Sequence, residues 1–127
     1  MAYLTKISDL APELVNANPK QIYIPKVLME HKDFKGLKFE AKVLYSFLLD
    51  RLREPLDFIH KGYDDNGATY IHFKVEELCK LLNLGKSTVV SLKKQLAQYG
   101  LIKEVKVGSG QPNRFYLTDK LVPYLKE

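Results

Sequence analysis

The stretch from Val75 to Leu117 constrains the fold most, because its hydrophobic spacing changes from that of helices to that of strands. Leucines at helical spacing in Val75–Asn83 predict a short amphipathic helix. The pattern then breaks, and because glycine tolerates the left-handed conformation in which many helices end, we expect the reversal at Gly85. A second helix is predicted from Lys86 to Tyr99, where another glycine follows as a stop signal.

The second helix has two faces of different chemistry. Its predicted core-facing stripe consists of Val89, Leu92, Leu96 and Tyr99. The opposite face, which contains no carboxylate, consists of Ser87, Val90, Ser91, Lys94 and Gln98. Lys and Gln side chains can meet base edges in a DNA major groove, and Val can touch a thymine methyl group. An ordinary solvated helix face is the alternative interpretation, because Lys and Ser are common on any protein surface.

The residues after this helix have the pattern of a β-hairpin. Leu101–Val107 alternates apolar with charged side chains, and Arg114–Leu117 predicts a second strand. The polar, glycine-rich loop Gly108–Asn113 lies between them. Two helices followed directly by such a hairpin predict an α+β fold, a winged helix-turn-helix with a small antiparallel sheet. The wing would lie along the sugar-phosphate backbone or in a minor groove, with donors at Lys106, Ser109, Gln111, Asn113 and Arg114.

The positive charge of the chain is concentrated in this region. The 127 residues include 20 Lys or Arg and 15 Asp or Glu, a formal net charge of +5. Lys74–Lys120 holds nine of the basic and four of the acidic residues, which leaves eleven of each for the remainder. A surplus that served only solubility would have no reason to concentrate here, whereas a phosphate-binding surface requires it.

The composition narrows the class of protein. A length of 127 residues with 46% hydrophobic content predicts one folded domain with a moderate core. We find neither a stretch approaching the roughly 18 to 20 apolar residues of a membrane helix nor a secretory leader, and so expect a soluble, cytoplasmic protein without membrane contact. Cys79 is the only cysteine, and a buried thiol is favoured over a disulfide or metal ligand.

The elements before the helix pair are less regular. Met1–Lys20 is predicted to be a loosely folded arm with one helical turn, and either a dimer contact or packing on its own domain would suit it. Gln21–Glu127 is predicted to be the winged-helix domain itself. Within it, Gln21–Ile24 predicts a brief strand, and Pro25 suits the first turn of a short helix that ends near His31.

The core and the first hairpin can also be predicted. The longest helix should run from Phe39 to Arg53 and support the core through an apolar band of Val43, Leu44, Phe47, Leu48 and Leu52, widened by Tyr45 and Leu49. Asp65-Asn66-Gly67 indicates a hairpin, because Asn-Gly accepts the positive φ angles of a type I′ turn. The strand after it, which contains Tyr70, Ile71 and Phe73, should join the wing strands in one antiparallel sheet.

The sequence gives no positive support for an enzyme. Gly85-Lys86-Ser87 spells the end of a phosphate-binding loop, but the full pattern requires glycine in place of Lys80 and a strand leading in. His31, His60 and His72 lie in separate elements without the spacing of a metal site, and no Ser, His and Asp set is plausible. We therefore expect no catalytic residues, no bound metal and no cofactor.

Short motifs follow one another along most of the chain. They are Tyr23-Ile24-Pro25-Lys26, Gly36-Leu37, Ala41-Lys42-Val43-Leu44-Tyr45, Leu48-Leu49-Asp50-Arg51, Asp65-Asn66-Gly67, Tyr70-Ile71, Phe73, Lys93-Lys94, Pro112-Asn113-Arg114 and Tyr116. In this order and spacing, from about Gln21 to Lys120, the chain resembles the N-terminal domain of the plasmid replication initiator A (RepA) family of Gram-positive bacteria.

The resemblance implies a winged-helix domain that binds repeated double-stranded sites, or iterons, at a plasmid origin as a homodimer or higher assembly. Initiators of this family engage host replication proteins through a separate C-terminal domain. Because this chain stops soon after the wing, it looks like the DNA-binding portion of a longer protein. The family match carries over Lys93, Lys94 and Arg114 as basic DNA contacts.

The motifs and the charge distribution together predict how DNA is bound. The helix from Lys86 enters the major groove, while the wing and the helix N-termini hold phosphates. The candidate contacts are Lys86, Ser87, Val90, Ser91, Lys93, Lys94, Gln98, Lys106, Ser109, Gln111, Asn113 and Arg114. Two alternatives stay open: a winged-helix transcription regulator that recognises an operator, and a winged helix used for protein interaction in a replisome.

Overall fold

The computed structural model describes residues 2–108 and 110–125 and shows helices packed against one four-stranded antiparallel sheet. The helices are α1 (Lys26–Glu30), α2 (Phe39–Leu52), α3 (Val75–Leu82), α4 (Lys86–Gln98) and α5 (Val122–Leu125). The strands are β1 (Lys61–Tyr63), β2 (Thr69–His72), β3 (Ile102–Val105) and β4 (Arg114–Leu117). Short 3₁₀ turns cover Ile7–Asp9, Pro12–Leu14 and Lys32–Phe34. The predicted α+β winged helix-turn-helix is confirmed.

The sheet joins the first hairpin to the wing. Its strand order is β1-β2-β4-β3, and all neighbouring strands are antiparallel. Ile71 of β2 and Glu104 of β3 both lie opposite Phe115 of β4. The prediction that the strand after Asn66-Gly67 joins the wing strands is therefore confirmed, and β1 and β3 form the two edges of the sheet.

Helix α2 supports the core, as predicted, but its most buried face is shifted by about one residue. The fully buried apolar positions of α2 are Ala41, Leu44, Tyr45, Leu48, Leu49 and Leu52. Val43 and Phe47, which the apolar pattern placed in the band, are only half-buried. None of the helices in the described residues is long and apolar enough to cross a membrane.

The N-terminal arm packs on its own domain, which was one of the two alternatives for it. Leu4, Ile7, Leu10 and Ala11 are buried in the core. The Leu4 N–H donates to the Leu117 carbonyl at 2.7 Å, and the ring of Tyr3 stacks on Tyr116 with 4.7 Å between centroids. The arm therefore extends the sheet beside the end of β4 and forms two 3₁₀ turns instead of one helical turn.

Two local predictions on turns are wrong. The left-handed residue between α3 and α4 is Asn83, with φ 55°, whereas Gly85 has an extended backbone and immediately precedes α4. The β1-β2 loop is not a type I′ turn, which needs positive φ at both central residues. Gly67 has φ 79° but Asn66 does not have a positive φ, because the Asp64 carboxylate accepts the Asn66 and Ala68 N–H groups at 2.9 Å.

The predicted strand at residues 21–24 is also absent from the structure. This segment pairs with neither of the two edge strands, β1 and β3, so it forms no ladder of hydrogen bonds with the sheet. Ile22, Tyr23 and Ile24 are half-buried instead. Tyr23 and Ile24 line a cavity of about 520 Å³ together with the N-terminal arm, so their alternating pattern reflects side-chain packing.

Candidate nucleic-acid interface

Helix α4 presents the outward face that its sequence predicts. Val89, Leu92 and Leu96 are buried, and Tyr99 just beyond the helix is half-buried. The outward positions Lys86, Ser87, Ser91, Lys94 and Gln98 are exposed, and Val90 is half-buried among them. The Gln95 side chain anchors the helix to α2, because its carbonyl oxygen accepts the Lys38 N–H at 3.0 Å. The outward face is therefore displayed on a fixed support.

Lys93 is buried, although its neighbour Lys94 on α4 is exposed. Only 8% of Lys93 is accessible, and its Nζ is 2.9 Å from Oε2 of Glu104 on β3. The same Oε2 accepts a hydrogen bond from Nδ2 of Asn113 at 2.8 Å. Glu104 thus joins the helix to both sides of the wing, and we call Lys93, Glu104 and Asn113 the clasp.

The base of the wing has further internal contacts. The Asn113 carbonyl accepts a hydrogen bond from Nδ1 of His72 at 2.9 Å. The Arg114 guanidinium carbon lies 4.2 Å from the centre of the Tyr70 ring, and Arg114 is half-buried. Burial and the hydrogen bond to Asp64 raise the pKa of the neighbouring Tyr116 hydroxyl. Nearer the tip, Lys106 and Gln111 are exposed, whereas Ser109 lies outside the described residues.

The N-termini of α3 and α4 differ in their ability to bind a phosphate. Helix α4 starts without a side-chain cap and without an acidic residue in its first turn, which leaves its amide groups and positive dipole end available. At α3, by contrast, the Glu77 carboxylate accepts the Lys74 N–H at 3.1 Å and lies 3.4 Å from Arg51. Partial burial opposes ionisation of Glu77, but these partners outweigh it and lower its pKa.

A polar cleft of about 230 Å³ separates the wing from the start of the two helices. Its lining includes Lys86, Lys93, Glu104, Gln111 and Asn113. Among the described residues no group of three His, Cys, Asp or Glu side chains could hold a metal ion. The cleft lining mixes cations and hydrogen-bond donors with the carboxylates of Glu76 and Glu104. Helix α4 itself presents cations and hydrogen-bonding groups without a carboxylate, which suits a phosphate backbone and base edges.

A comparison with protein-family models decides the family. The model described as the N-terminus of replication initiator protein A (RepA) matches residues 20–124, most of the chain. The chain belongs to this RepA N-terminal family. The family resemblance drawn from the sequence motifs is thereby confirmed.

Individual relatives agree with the family. The chain is similar to a 41 kDa protein of Lactobacillus helveticus, with 31% identity over 97 residues that cover 76% of this chain. It spans only 27% of that relative's length. A solved N-terminal domain of a DNA-binding protein is 26% identical with a TM-score of 0.66, covering 91% of this chain and 89% of that one. A solved Rep-DNA complex is 26% identical with a TM-score of 0.65, covering 91% and 90%.

The structure sorts the candidates that the RepA family match carries over. Lys94 is exposed on α4, while Lys93 and Arg114 each have an internal partner, Glu104 and the Tyr70 ring. The structure brings the α4 positions onto one face, with the exposed wing residues beyond the clasp. Direct DNA contact by any of these residues stays a prediction.

Sequence reasoning missed the residues that hold this surface together. Glu104 and His72 are not candidate contacts, yet they hold Lys93 and Asn113 in place. One signal was present for Glu104: strand alternation puts it on the same face as Ile102, toward the core. Exposed Thr88 in the first turn of α4 was also overlooked, and its position beside Ser87 was the available signal.

Proposed function

We propose that this domain binds repeated double-stranded sites, or iterons, at a plasmid replication origin, as part of an initiator protein. The observation that carries the proposal is the outward face of α4, which displays cations, hydroxyls and an amide without a carboxylate. This face lies beside a wing in a member of a replication initiator family. The similar structure described as a Rep-DNA complex supports DNA as the partner.

In the proposed complex α4 enters the major groove. Ser87, Ser91, Lys94 and Gln98 would meet base edges, and Val90 would contact a thymine methyl group. Lys86 and the uncapped start of α4 would hold a phosphate. In the wing, Lys106, Ser109 and Gln111 would follow the backbone or the adjacent minor groove.

Lys93, Asn113 and Arg114 belong to the proposed interface in a different way. Each has an internal partner that a direct DNA contact would disturb. Breaking the Lys93–Glu104 ion pair would leave a mostly buried carboxylate without its cation, which costs free energy. Lys94, with no such cost, is therefore the lysine of the pair that we expect to touch DNA first.

The family membership also supports a proposal about the whole protein. We propose that it acts as a homodimer or higher assembly in the cytoplasm, and that a C-terminal domain outside this chain engages host replication proteins. The role of residues 1–127 would be recognition, with no catalytic step. In this division Met1–Lys20 would be an N-terminal arm and residues 21–127 the winged-helix domain.

Footprinting on candidate origin DNA tests the proposal directly. We expect protection of direct repeats, with major-groove contacts from α4 flanked by backbone protection from the wing. Affinity for these repeats should exceed that for random duplex of equal length, and should fall steeply as salt rises because several phosphate contacts release counterions. Equal affinity for repeat and random duplex at moderate ionic strength would contradict the proposal.

The two alternatives make different predictions in the same experiments. A transcription regulator would protect a site beside a promoter, and a plasmid with the origin would replicate without the protein. A protein-interaction winged helix would bind its partner through apolar surface, so salt would have little effect on that affinity. A plasmid replication assay with and without the full protein separates the first alternative from the proposed initiator.

A further inference from the structure

The end of the molecule that contains β1 carries an exposed apolar patch. Four of the ten exposed large hydrophobic residues in the described part of the chain lie within residues 56–63, and their accessible fractions are 48%, 56%, 69% and 53% for Leu56, Phe58, Ile59 and Tyr63. The Phe58 and Tyr63 rings meet edge to face, with centroids 5.2 Å apart. Single exposed apolar residues need no explanation, but such a cluster marks an interaction surface.

The patch is displayed by a loop that its own hydrogen bonds hold in place. Oδ1 of Asp57 accepts the N–H groups of Ile59, His60 and Lys61 at 2.9, 2.7 and 3.1 Å. The Phe58 N–H donates to the Lys61 carbonyl at 2.8 Å. A loop that is already ordered loses little conformational entropy when a partner binds, so its exposed side chains are ready for contact.

Two further features show how firmly the loop is held. Phe58 has φ 59°, a left-handed conformation that is uncommon for an aromatic residue and persists where the surroundings enforce it. Lys61 extends inward, where its Nζ donates to the Leu52 and Glu54 carbonyls at 2.7 and 3.0 Å. Lys61 therefore adds almost no positive charge to the surface, since only 8% of it is accessible.

The charge around the patch is opposite to that of the rest of the chain. Residues 54–66 contain Glu54, Asp57, Asp64 and Asp65 against the single buried Lys61. The other 114 residues contain 19 basic and 11 acidic side chains, a net charge of +8. An apolar surface in a segment of net negative charge repels a phosphate backbone and attracts a cationic protein segment.

The hydrogen bonds of the loop leave little free backbone for one way of binding such a segment. At the edge of an antiparallel sheet, unpaired backbone N–H and C=O groups can bind a further strand that a partner contributes. Here the outward N–H and C=O groups of Lys61 already bond to Asp57 and Phe58 of the same loop. Binding would therefore rely on the side chains of the patch and its acidic rim.

We propose that the apolar patch Leu56, Phe58, Ile59 and Tyr63, with its acidic rim, docks a segment of another protein that combines apolar anchors with Lys or Arg. A second copy of this chain is a poorer occupant. Two-fold contact through this patch would bring the carboxylates of both copies together, and like charges across an interface oppose association. The patch lies at the β1 edge of the sheet, and the strand spacing puts the opposite edge, β3, about 14 Å away.

The test uses the 127-residue chain and a pair of synthetic peptides. One dodecapeptide alternates lysine with leucine or phenylalanine, and the second has glutamate in place of every lysine. Fluorescence anisotropy measures the Kd, and amide chemical shifts locate the bound peptide on the domain. We expect the lysine peptide to bind with shifts confined to residues 54–66, and the glutamate peptide not to bind.

A matched pair of leucines provides the control. Leu56 and Leu81 are 48% and 47% accessible, but Leu81 lies on α3, outside residues 54–66. Leu56→Ser combined with Ile59→Ser should weaken the lysine peptide by about tenfold or more, whereas Leu81→Ser should change its Kd by less than about twofold. Affinity for origin DNA should be the same in all three proteins, so failure here is distinct from failure of DNA recognition.

Three results would overturn the proposal. The first is no binding of the lysine peptide, and the second is binding that Leu81→Ser weakens as much as the patch variant does. The third comes from analytical ultracentrifugation: a wild-type dimer that Ile59→Ser converts to monomer would make a second copy the occupant.

Discussion

The two edges of the sheet carry surfaces of opposite character. Near β3, α4 and the wing expose cations and hydrogen-bonding side chains, and the nearby carboxylate of Glu104 is consumed by the clasp. At β1, residues 54–66 expose carboxylates and apolar side chains, and the cation Lys61 is consumed by the carbonyls at the end of α2. In each region one side chain of the opposite charge, Glu104 or Lys61, has internal partners, so it contributes little to the surface charge.

This contrast explains why a chain of modest net charge can carry two surfaces of opposite charge. The net charge of +5 is a sum over a basic face and an acidic face, so it reveals the charge of neither face. Position in the fold decides which charges reach solvent, where they can act on a partner.

Reversing one charge in each region should have unequal effects on DNA binding. We expect Lys94→Glu to lower affinity for origin repeats by about 100-fold or more, because it removes a contact worth about 1 to 3 kcal/mol and adds repulsion. Asp65→Lys, a reversal on the exposed acidic side, should change that affinity by less than about threefold. Anisotropy at one salt concentration measures both, and effects equal in size would mean that only net charge matters.

Removing the buried cation at the β1 edge should destabilise the fold. Lys61→Met deprives the Leu52 and Glu54 carbonyls of a charged donor, and we expect the free energy of unfolding to fall by about 2 kcal/mol. Burial lowers the pKa of Lys61, against the opposing charge of Glu54, so the two hydrogen bonds must offset a cost of burying the charge. Urea unfolding measures the change.

The control for this variant is Lys103→Met on β3. Lys103 is exposed, so its replacement should change the free energy of unfolding by less than about 0.5 kcal/mol. Similar losses in the two variants would show that the internal position of Lys61 has no special importance.

Adjacent lysines on α4 should separate positioning from contact. Lys93→Met breaks the clasp, so it should weaken DNA binding by about fivefold, near 1 kcal/mol, without changing the salt dependence. Lys94→Met should weaken binding to origin repeats by about 1 to 3 kcal/mol more than it weakens binding to random duplex, as expected for one lost base contact. Salt titrations of both variants on repeat and random duplex make the comparison.

A third variant sharpens this result. Glu104→Gln removes the carboxylate that Lys93 and Asn113 share, and it should reproduce the effect of Lys93→Met. A reduced salt slope in Lys93→Met with no effect of Glu104→Gln would contradict the clasp and make Lys93 a direct phosphate contact.

The smallest effect concerns the acid stability of the loop at β1. Hydrogen bonds from the His60 ring and from the His60 and Ile59 N–H groups hold the pKa of Asp57 well below its ordinary value of 3.8. A carboxyl with a lowered folded pKa stabilises the fold above its unfolded pKa and loses that contribution as pH falls through the folded value. Asp57→Asn should therefore lose less stability than wild type between about pH 5 and about pH 2.

Urea unfolding at the two pH values provides the measurement, and Asp65→Asn is the neighbouring control. We expect the Asp65 variant to follow the wild-type pH dependence. An Asp57 variant that also follows it would show that the hydrogen bonds of Asp57 do not contribute to acid stability.

Much of the candidate interface was predictable because the signals are local. The apolar residues of α4 recur with a period near 3.6, so the helical wheel placed Val89 inside and Lys94 outside, as the structure has them. The wing strand Arg114–Leu117 was predicted with its observed bounds from a signal that is also local, a short run of strand-forming residues after a glycine-rich loop. In such elements each residue's direction follows from its nearest neighbours along the chain.

Other features depended on partners distant in sequence. The period of α4 alone could not decide how deeply Lys93 is buried, because that depends on Glu104, eleven positions away on another element. The β1-β2 loop was mispredicted because the Asp64 carboxylate reorganised a turn that Asn-Gly alone would form differently. The strand expected at residues 21–24 failed because alternation does not supply a neighbouring strand.

The sequence by itself determined the order of helices and strands, the outward chemistry of α4 and the family to which the chain belongs. Periodicity, composition and motif spacing are properties of the chain alone, so they hold before folding. Only the tertiary structure decided which charges stay on the surface, that the arm completes the core, and that Leu56, Phe58, Ile59 and Tyr63 form one exposed patch. These outcomes follow from which distant groups meet, and a hydrogen bond or ion pair exists only once both partners are in place.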